Sequence, residues 1–232
     1  MKKILFFGSL LSSLLGFGQV ITVNTTQTPT QLVNNVLVDN SCLVQISNIV
    51  TSTGSNFGSS NGIGSYQNTN PSFPVTSSGL LLTTGQASLS PGPNNSVLSN
   101  GGASATWLGN AELQATLAAA GITMQSKNAT LFQFDFIPNS SNFGFDFLFA
   151  SEEYGAFQCT TNDAFIVLLD NLDDPAAPVN VALIPSTTDP VTVANIRNQL
   201  YNSDCTSLNA SWFGQFNGGS NAAGAAINYN GQ

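Results

Sequence analysis

Six of the twelve acidic residues lie in one short stretch of the chain, between Glu152 and Asp174. Calcium binds six to eight oxygens, which come from carboxylates, asparagine side chains and carbonyl groups. Glu153, Asn162 and Asp163 fall at the end of one predicted strand and the start of the next, so they can converge on such an ion. Glu152, Glu153, Asn162 and Asp163 are therefore the candidate calcium ligands. The chain has no EF-hand loop or calcium-binding repeat.

The same acidic residues also have a simpler structural interpretation. Asp170, Asp173 and Asp174 precede Pro175 and suit a solvated turn. The two adjacent glutamates suit hydrogen bonds to the backbone of a loop. The sequence leaves both interpretations open.

A glycosidase is the one enzyme class that these acids suggest. Glycoside hydrolysis needs two carboxyl groups about 5–10 Å apart across one substrate. Neighbouring residues of an extended strand point to opposite faces, which excludes the pair Glu152 and Glu153 and leaves Glu153 with Asp163. The chain contains no histidine, so Ser–His and Cys–His catalysis are absent. We predict that the protein is not an enzyme.

Aromatic residues in predicted loops supply a second candidate site. Trp107, Tyr154 and Trp212 are candidates for a platform on which a sugar ring stacks. Packing in the core or under loops is the simpler alternative for the same side chains.

The first 18 residues have the organisation of a secretory signal peptide. Lys2 and Lys3 form a positive start, an apolar run follows over 4–15, and small residues at 16 and 18 precede a cleavage point before Gln19. The apolar run is shorter than the roughly 20 residues that span a bilayer. We expect an exported protein, secreted or on the outer cell surface, whose mature chain begins at Gln19 and has no membrane span.

Composition indicates a folded extracellular domain. Hydrophobic residues make up 42% of the chain and sixteen residues are phenylalanine, so a core can form. The formal net charge is −8, and only Lys127 and Arg197 are basic after residue 18. Nucleic acid is excluded as a partner because phosphate binding needs clustered basic residues. An extracellular polymer, a glycan or a surface protein remains as the partner.

Two short helices are predicted among strands. Thr28, Pro29 and Gln31 form a capping-box start for a helix over 29–37. Asn110 can cap a second helix that ends near Gly121. Residues 51–74 and 86–106 are rich in small polar residues and predict long loops.

Alternating phenylalanines give the clearest strand pattern. They occupy every second position of 130–137 and 143–149, separated by a short turn, and predict a hairpin with one buried aromatic face. Strands are also predicted at 20–23, 43–50, 79–85, 164–169, 179–184 and 191–196. The pattern predicts an all-β fold, an antiparallel β-sandwich of jelly-roll type with two short helices.

Three cysteines, Cys42, Cys159 and Cys205, allow one disulfide and one free thiol in an exported chain. Without histidine or a Cys-x-x-Cys pair, a structural zinc site is excluded.

Several blocks of the sequence resemble the choice-of-anchor L domain, a family of secreted and surface proteins, especially of Bacteroidetes. The most specific are SEEY at 151–154 and NDAF at 162–165. The others are PSFPVTSSGLLLTTG at 71–85, PGPN at 91–94, FDFIP at 134–138, FLFA at 147–150, NVALIP at 180–185 and PV at 190–191. The resemblance covers roughly 28–232.

The resemblance implies an extracellular module without enzymatic chemistry, which contributes to adhesion or display. It implies a domain over 19–232 whose family pattern continues beyond Gln232, so that the chain looks incomplete at its C-terminal end. Members that match YNSDC at 201–205 also carry a cysteine at the position of Cys159. The resemblance therefore favours a Cys159–Cys205 disulfide.

Overall fold

The computed structural model describes residues 21–37, 43–54, 60–69, 73–75, 77–98, 107–140, 142 and 144–232. The predicted signal peptide, Cys42 and Phe143 lie outside these residues.

The first sheet has three antiparallel strands in the order β1-β3-β4. β1 is Ile21–Asn24, β3 is Ile63–Asn68 and β4 is Ser78–Leu82. Ile63 at the start of β3 is fully buried. The loop predicted over 51–74 is wrong for β3. Gly64, one of the small residues that suggested a loop, allows this central strand to lie close to β1.

The second sheet pairs β2 (Leu43–Ser52) with β5 (Leu131–Pro138) in antiparallel register. Ile46 lies opposite Phe136, and the ladder is interrupted by irregularities on both sides of the segment 45–47. The predicted hairpin between 130–137 and 143–149 is not formed by the described residues, since β5 pairs with β2 and 144–150 has no assigned strand. The observed partner of β5 is therefore a strand far away in sequence and not its neighbour across the predicted turn.

The later strands are short and pair in twos. β6 (Ala164–Phe165) pairs with β9 (Val191–Thr192), and β7 (Leu168–Leu169) pairs with β8 (Val179–Asn180). The single strand predicted over 164–169 is therefore split between two partners. Every pairing is antiparallel, and the fold is all-β, consistent with the predicted sandwich.

A hydrophobic core lies beneath these short strands. Its buried members are Tyr154, Ile184, Val191, Val193, Ile196 and Phe213. The rings of Tyr154 and Phe213 meet edge to face, with centroids 4.7 Å apart. The C-terminal half of the chain therefore has a packed interior although its strands are only two residues long.

Both predicted helices are present. α1 (Pro29–Leu32) continues as a π-helical turn over Val33–Leu37, and its capping box is formed, with the Gln31 amide donating to Thr28 Oγ1 at 3.3 Å. α2 (Ala111–Ala119) starts at Asn110, whose Oδ1 accepts from the Leu113 amide at 2.8 Å. Three 3₁₀ turns lie at Ala87–Leu89, Ala210–Trp212 and Gly219–Gly224. Among the described residues, no helix is long and apolar enough to cross a membrane.

Candidate carboxylate site

The carboxylate cluster consists of Glu152, Glu153 and Asp163. The chain enters it at Ser151, which forms an antiparallel bridge with Gly231 through two main-chain hydrogen bonds of 3.0 and 3.1 Å. This bridge joins the two glutamates to the C-terminal segment of the chain. Asp163 immediately precedes β6, and its carbonyl accepts from the Val193 amide at 3.1 Å. Sheet pairing therefore holds both parts of the cluster in place.

Ser151 links the two parts directly. Its hydroxyl donates to Asp163 Oδ2 at 2.6 Å and accepts from the Glu153 amide at 3.0 Å. The Ser151 side chain is buried, with only 1% of its surface exposed. Its hydroxyl is therefore fully committed within the cluster, and it sets the position of the Asp163 carboxyl.

Glu152 is held by two further segments. Its Oε1 accepts from the Leu98 amide at 3.0 Å, and its carbonyl accepts from Asn230 Nδ2 at 2.6 Å. The second carboxyl oxygen, Oε2, is buried and has no hydrogen-bond partner among the described residues. A buried acceptor without a donor is unfavourable by about 1–3 kcal/mol. This oxygen is the least satisfied polar atom of the cluster.

The carboxyl groups have raised pKa values because they are partly removed from water. Burial raises the pKa of Asp163, and the hydrogen bond from Ser151 offsets part of that rise. Burial also raises the pKa of Glu153, and the neighbouring Asp163 charge adds to it. Glu152 behaves in the same way, although the Leu98 amide opposes the rise in its pKa. Each group therefore favours its neutral form more than a free carboxyl does.

Two tyrosines near the cluster, the half-buried Tyr229 and the buried Tyr154, also have raised pKa values. Burial raises the pKa of Tyr229 to about 12, and the charges of Glu152 and Asp163 contribute to that rise. The Tyr229 hydroxyl is bonded to Ser90 Oγ at 2.9 Å. Burial likewise raises the pKa of Tyr154.

No basic side chain balances the cluster within the part of the chain that the structure describes. Lys127 is exposed, and the Nε of Arg197 donates to the Thr206 carbonyl at 3.0 Å. Neither contributes to the pKa of any of the three carboxyl groups. The cluster is therefore a local concentration of negative charge without a cationic partner.

The four candidate calcium ligands are brought into one region, but they do not form a cage. Asn162 Oδ1 accepts from the Ala194 amide at 2.9 Å, so this oxygen supports the β6–β9 connection. Among the described residues, no group of three or more His, Cys, Asp or Glu side chains is arranged to hold a metal ion. Binding of calcium here requires additional oxygens or a rearrangement of the glutamate side chains.

The structure does not bring the three residues of the predicted aromatic platform together on the surface, because two of them are interior residues. Trp107 is 3% exposed and donates from Nε1 to the Ala129 carbonyl at 3.0 Å. Tyr154 is 1% exposed and belongs to the core. Only Trp212, 52% exposed, offers a ring face to solvent. The packing alternative is the one observed for Trp107 and Tyr154.

The disulfide implied by the family resemblance is confirmed. Cys159 and Cys205 are bonded, with their Cα atoms 5.5 Å apart, and they are 46 positions apart in sequence. Asn202 reinforces the same junction by donating from Nδ2 to the Gly155 carbonyl at 2.9 Å.

Three residues in or beside the cluster are not predicted by the sequence. Ser151, Asn230 and Tyr229 are polar residues outside the set of acids, and only tertiary contacts bring 229–231 to Ser151 and Glu152. The Ser-Glu-Glu-Tyr block pointed to Ser151, since it places a hydroxyl directly before the two glutamates. No local signal in the sequence identifies Asn230 or Tyr229.

Among the described residues, the fold and the site together define a β-rich domain with a half-buried acidic cluster and one disulfide. The model of the Choice-of-anchor L domain family matches residues 21–232, and the chain belongs to this family. Domains of this family are typical of secreted or cell-surface proteins and are not a known enzyme family. Searches of the curated proteins and of the solved structures found no match.

Proposed function

We propose that this protein is an exported, non-catalytic module that acts in adhesion or display on the cell surface or after secretion. The observation that carries the proposal is the family match over 21–232, because the family is typical of secreted and surface proteins. The signal-like residues 1–18 and the Cys159–Cys205 disulfide support it, since disulfides persist in oxidising compartments. The partner is an extracellular polymer, a glycan or a surface protein.

The arrangement of the acids supports a non-catalytic role. Glu152 and Asp163 each use a carboxyl oxygen for a hydrogen bond inside the protein. Among the described residues, an open groove lined by Phe145 and Phe147 and another lined by Asn198 and Leu200 have no acid in their lining. A glycosidase would present two carboxyl groups to one substrate cleft.

Location is tested first, in the native bacterium, with an epitope tag at the C-terminus of the complete protein. The expected result is a tag that protease removes from intact cells, or that collects in the medium, on a chain that begins at Gln19. A control that lacks residues 2–18 stays inside the cell. A tag protected in intact cells, on an uncleaved chain in the cytoplasm, contradicts export.

Adhesion is tested by comparing the wild-type bacterium with a deletion strain on immobilised extracellular polymers. The expected result is weaker attachment of the deletion strain, restored by the gene in trans. Equal attachment of both strains to every surface, with the protein present on wild-type cells, contradicts the adhesion role.

A calcium-dependent glycan-binding module is the second candidate function. The observation that favours it is the unbalanced carboxylate cluster, in which Glu152 Oε2 is buried without a partner in the described part of the chain. A divalent cation supplies both the missing positive charge and a partner for that oxygen. Glu152, Glu153 and Asp163 are the proposed ligands, and Asn162 joins them only if it releases the Ala194 amide.

A thermal melt with calcium and with EDTA tests this candidate. Binding to the folded state alone stabilises it by about 2.7 kcal/mol when calcium is at a hundred times its Kd, which raises Tm. Glu152→Gln should abolish the shift. Asp173→Asn removes the same charge from an exposed turn and should retain it. Equal Tm values in calcium and EDTA exclude the site, and a glycan array without calcium-dependent binding excludes the sugar role.

A further inference from the structure

Residues 144–150 form a segment that is not paired with any strand among the described residues. The rings of Phe145 and Phe147, two positions apart, lie side by side with centroids 6.0 Å apart, which is the spacing of an extended backbone. No main-chain hydrogen bond joins 144–150 to another described residue. Exposed N–H and C=O groups of this kind are a template on which another strand can pair.

An apolar groove lies beside this segment. Gly144, Phe145, Phe147, Leu169 and Val181 line it, and its volume is about 360 Å³. The Phe145, Phe147 and Val181 side chains are 39%, 37% and 38% exposed. Large apolar side chains grouped on a surface mark a site of interaction.

Packing against the short strands fixes the wall of the groove. The Phe147 ring packs on Phe165 of β6 at 5.2 Å, and the Val181 amide donates to the Val167 carbonyl at 2.8 Å. The apolar surface is therefore held in place before any partner arrives, which lowers the entropic cost of binding.

Two aspartates are direct chain neighbours of residues that line the groove. Asp146 lies between the two phenylalanines, and Asp170 directly follows Leu169. Both aspartates are exposed. The chain carries a net charge of −8, which disfavours a second copy as the occupant and favours a basic partner.

We propose that this groove binds an extended segment of a partner protein in which apolar residues alternate with lysine or arginine. The segment adds a strand along 144–150. Its main chain pairs with the free N–H and C=O groups, its apolar side chains enter the groove, and its basic side chains meet Asp146 and Asp170. This inference adds a binding site to the proposed interaction role. It rests on that role only for the place, outside the cell, in which the protein meets its partner.

Titration of the purified chain with an alternating Val-Lys octapeptide tests the proposal. The expected result is saturable binding with fast-exchanging amides of 144–150 becoming protected from hydrogen exchange. Three reference peptides should bind at least about tenfold more weakly. They are an alternating Val-Glu peptide, a block peptide of identical composition, and a Val-Lys peptide N-methylated at every second residue.

Variants of the protein locate the site. Phe145→Ser removes part of the apolar wall and should weaken binding about tenfold. Asp146→Lys reverses one neighbouring charge and should weaken it without touching that wall. Leu200→Ser, at a residue 77% exposed in the other groove, should bind as the wild type does. Thermal melts of each variant verify that it is folded.

Three results would overturn the proposal. The first is no saturable binding up to about 1 mM peptide. The second is equal binding of the block peptide, which would reduce the interaction to charge attraction. The third is a dimer in sedimentation that Phe145→Ser dissociates, which would make a second copy the occupant. A cytoplasmic location would refute the proposed function and leave the peptide result standing.

Discussion

At the scale of single residues, the Asp163 carboxyl is the most informative group in the protein. Its pKa is raised chiefly by burial, and it raises the pKa values of Glu152 and Glu153 in turn. Ser151 partly compensates through one hydrogen bond of 2.6 Å. The cluster is therefore under electrostatic strain at neutral pH, which either protons or a cation can relieve.

Protonation of the cluster changes the free energy of unfolding in a direction that follows from the raised pKa values. The folded state binds them more tightly than the unfolded state, so the free energy of unfolding falls as pH rises from about 4, the ordinary carboxyl pKa, through the raised values. In EDTA, we expect urea denaturation to show greater stability at about pH 5 than at about pH 7. Asp163→Asn should flatten this dependence, and Asp173→Asn should leave it unchanged.

The same titration separates the two ways of relieving the strain. If calcium occupies the cluster, protonation displaces it, and stability in calcium falls on the acidic side instead of rising. A free energy of unfolding that rises with pH in EDTA would contradict the raised pKa values.

At the scale of elements, strand β3 requires a glycine at position 64, although the composition of this segment is typical of a loop. A Cβ at Gly64 would lie 2.8 Å from the carbonyl oxygen of Asn24 on the paired strand β1. Because that neighbour is backbone, the two strands have to separate to admit even a methyl group. A glycine that looks like a loop residue is therefore required by the close approach of two strands.

Gly64→Ala should destabilise the protein by about 1–3 kcal/mol, the range for overpacking. Gly224→Ala is the matched control, because a Cβ there meets nothing within 4 Å. Urea denaturation of both variants measures the difference. Equal stability of the two variants would show that β1 and β3 tolerate the extra volume.

At the scale of the whole molecule, the disulfide closes a long loop across the C-terminal half. Cys159 and Cys205 are 46 positions apart, so in the chain-entropy picture the bond stabilises the fold by about 4 kcal/mol. The loop encloses most of the core, including Ile184, Val191 and Val193. The bond therefore restricts the segment that has the shortest strands.

Replacing both Cys159 and Cys205 by serine should lower the free energy of unfolding by about 3–4 kcal/mol. Cys42→Ser is the control and should leave the bond intact. Non-reducing peptide mapping identifies the linked cysteines, and urea denaturation measures the loss. A linked peptide that contains Cys42 would contradict the observed pairing.

Features that arise from short-range chemistry could be predicted from the order of residues alone. The capping box at Thr28 and the asparagine cap at Asn110 were predictable because both depend on residues three positions apart. The all-β class followed from alternation, and the family and its disulfide from short motifs. The gathering of acids near Glu152 was also visible in the order of residues.

Only the tertiary structure decided which segments meet. β5 pairs with β2 and not with the nearby phenylalanine segment, because long-range pairing overrides a local turn signal. Trp107 and Tyr154 are buried by distant partners, and the C-terminal segment completes the carboxylate cluster at Glu152 through Asn230. Spacing along the chain carries no information about such contacts, since they depend on how separate elements pack.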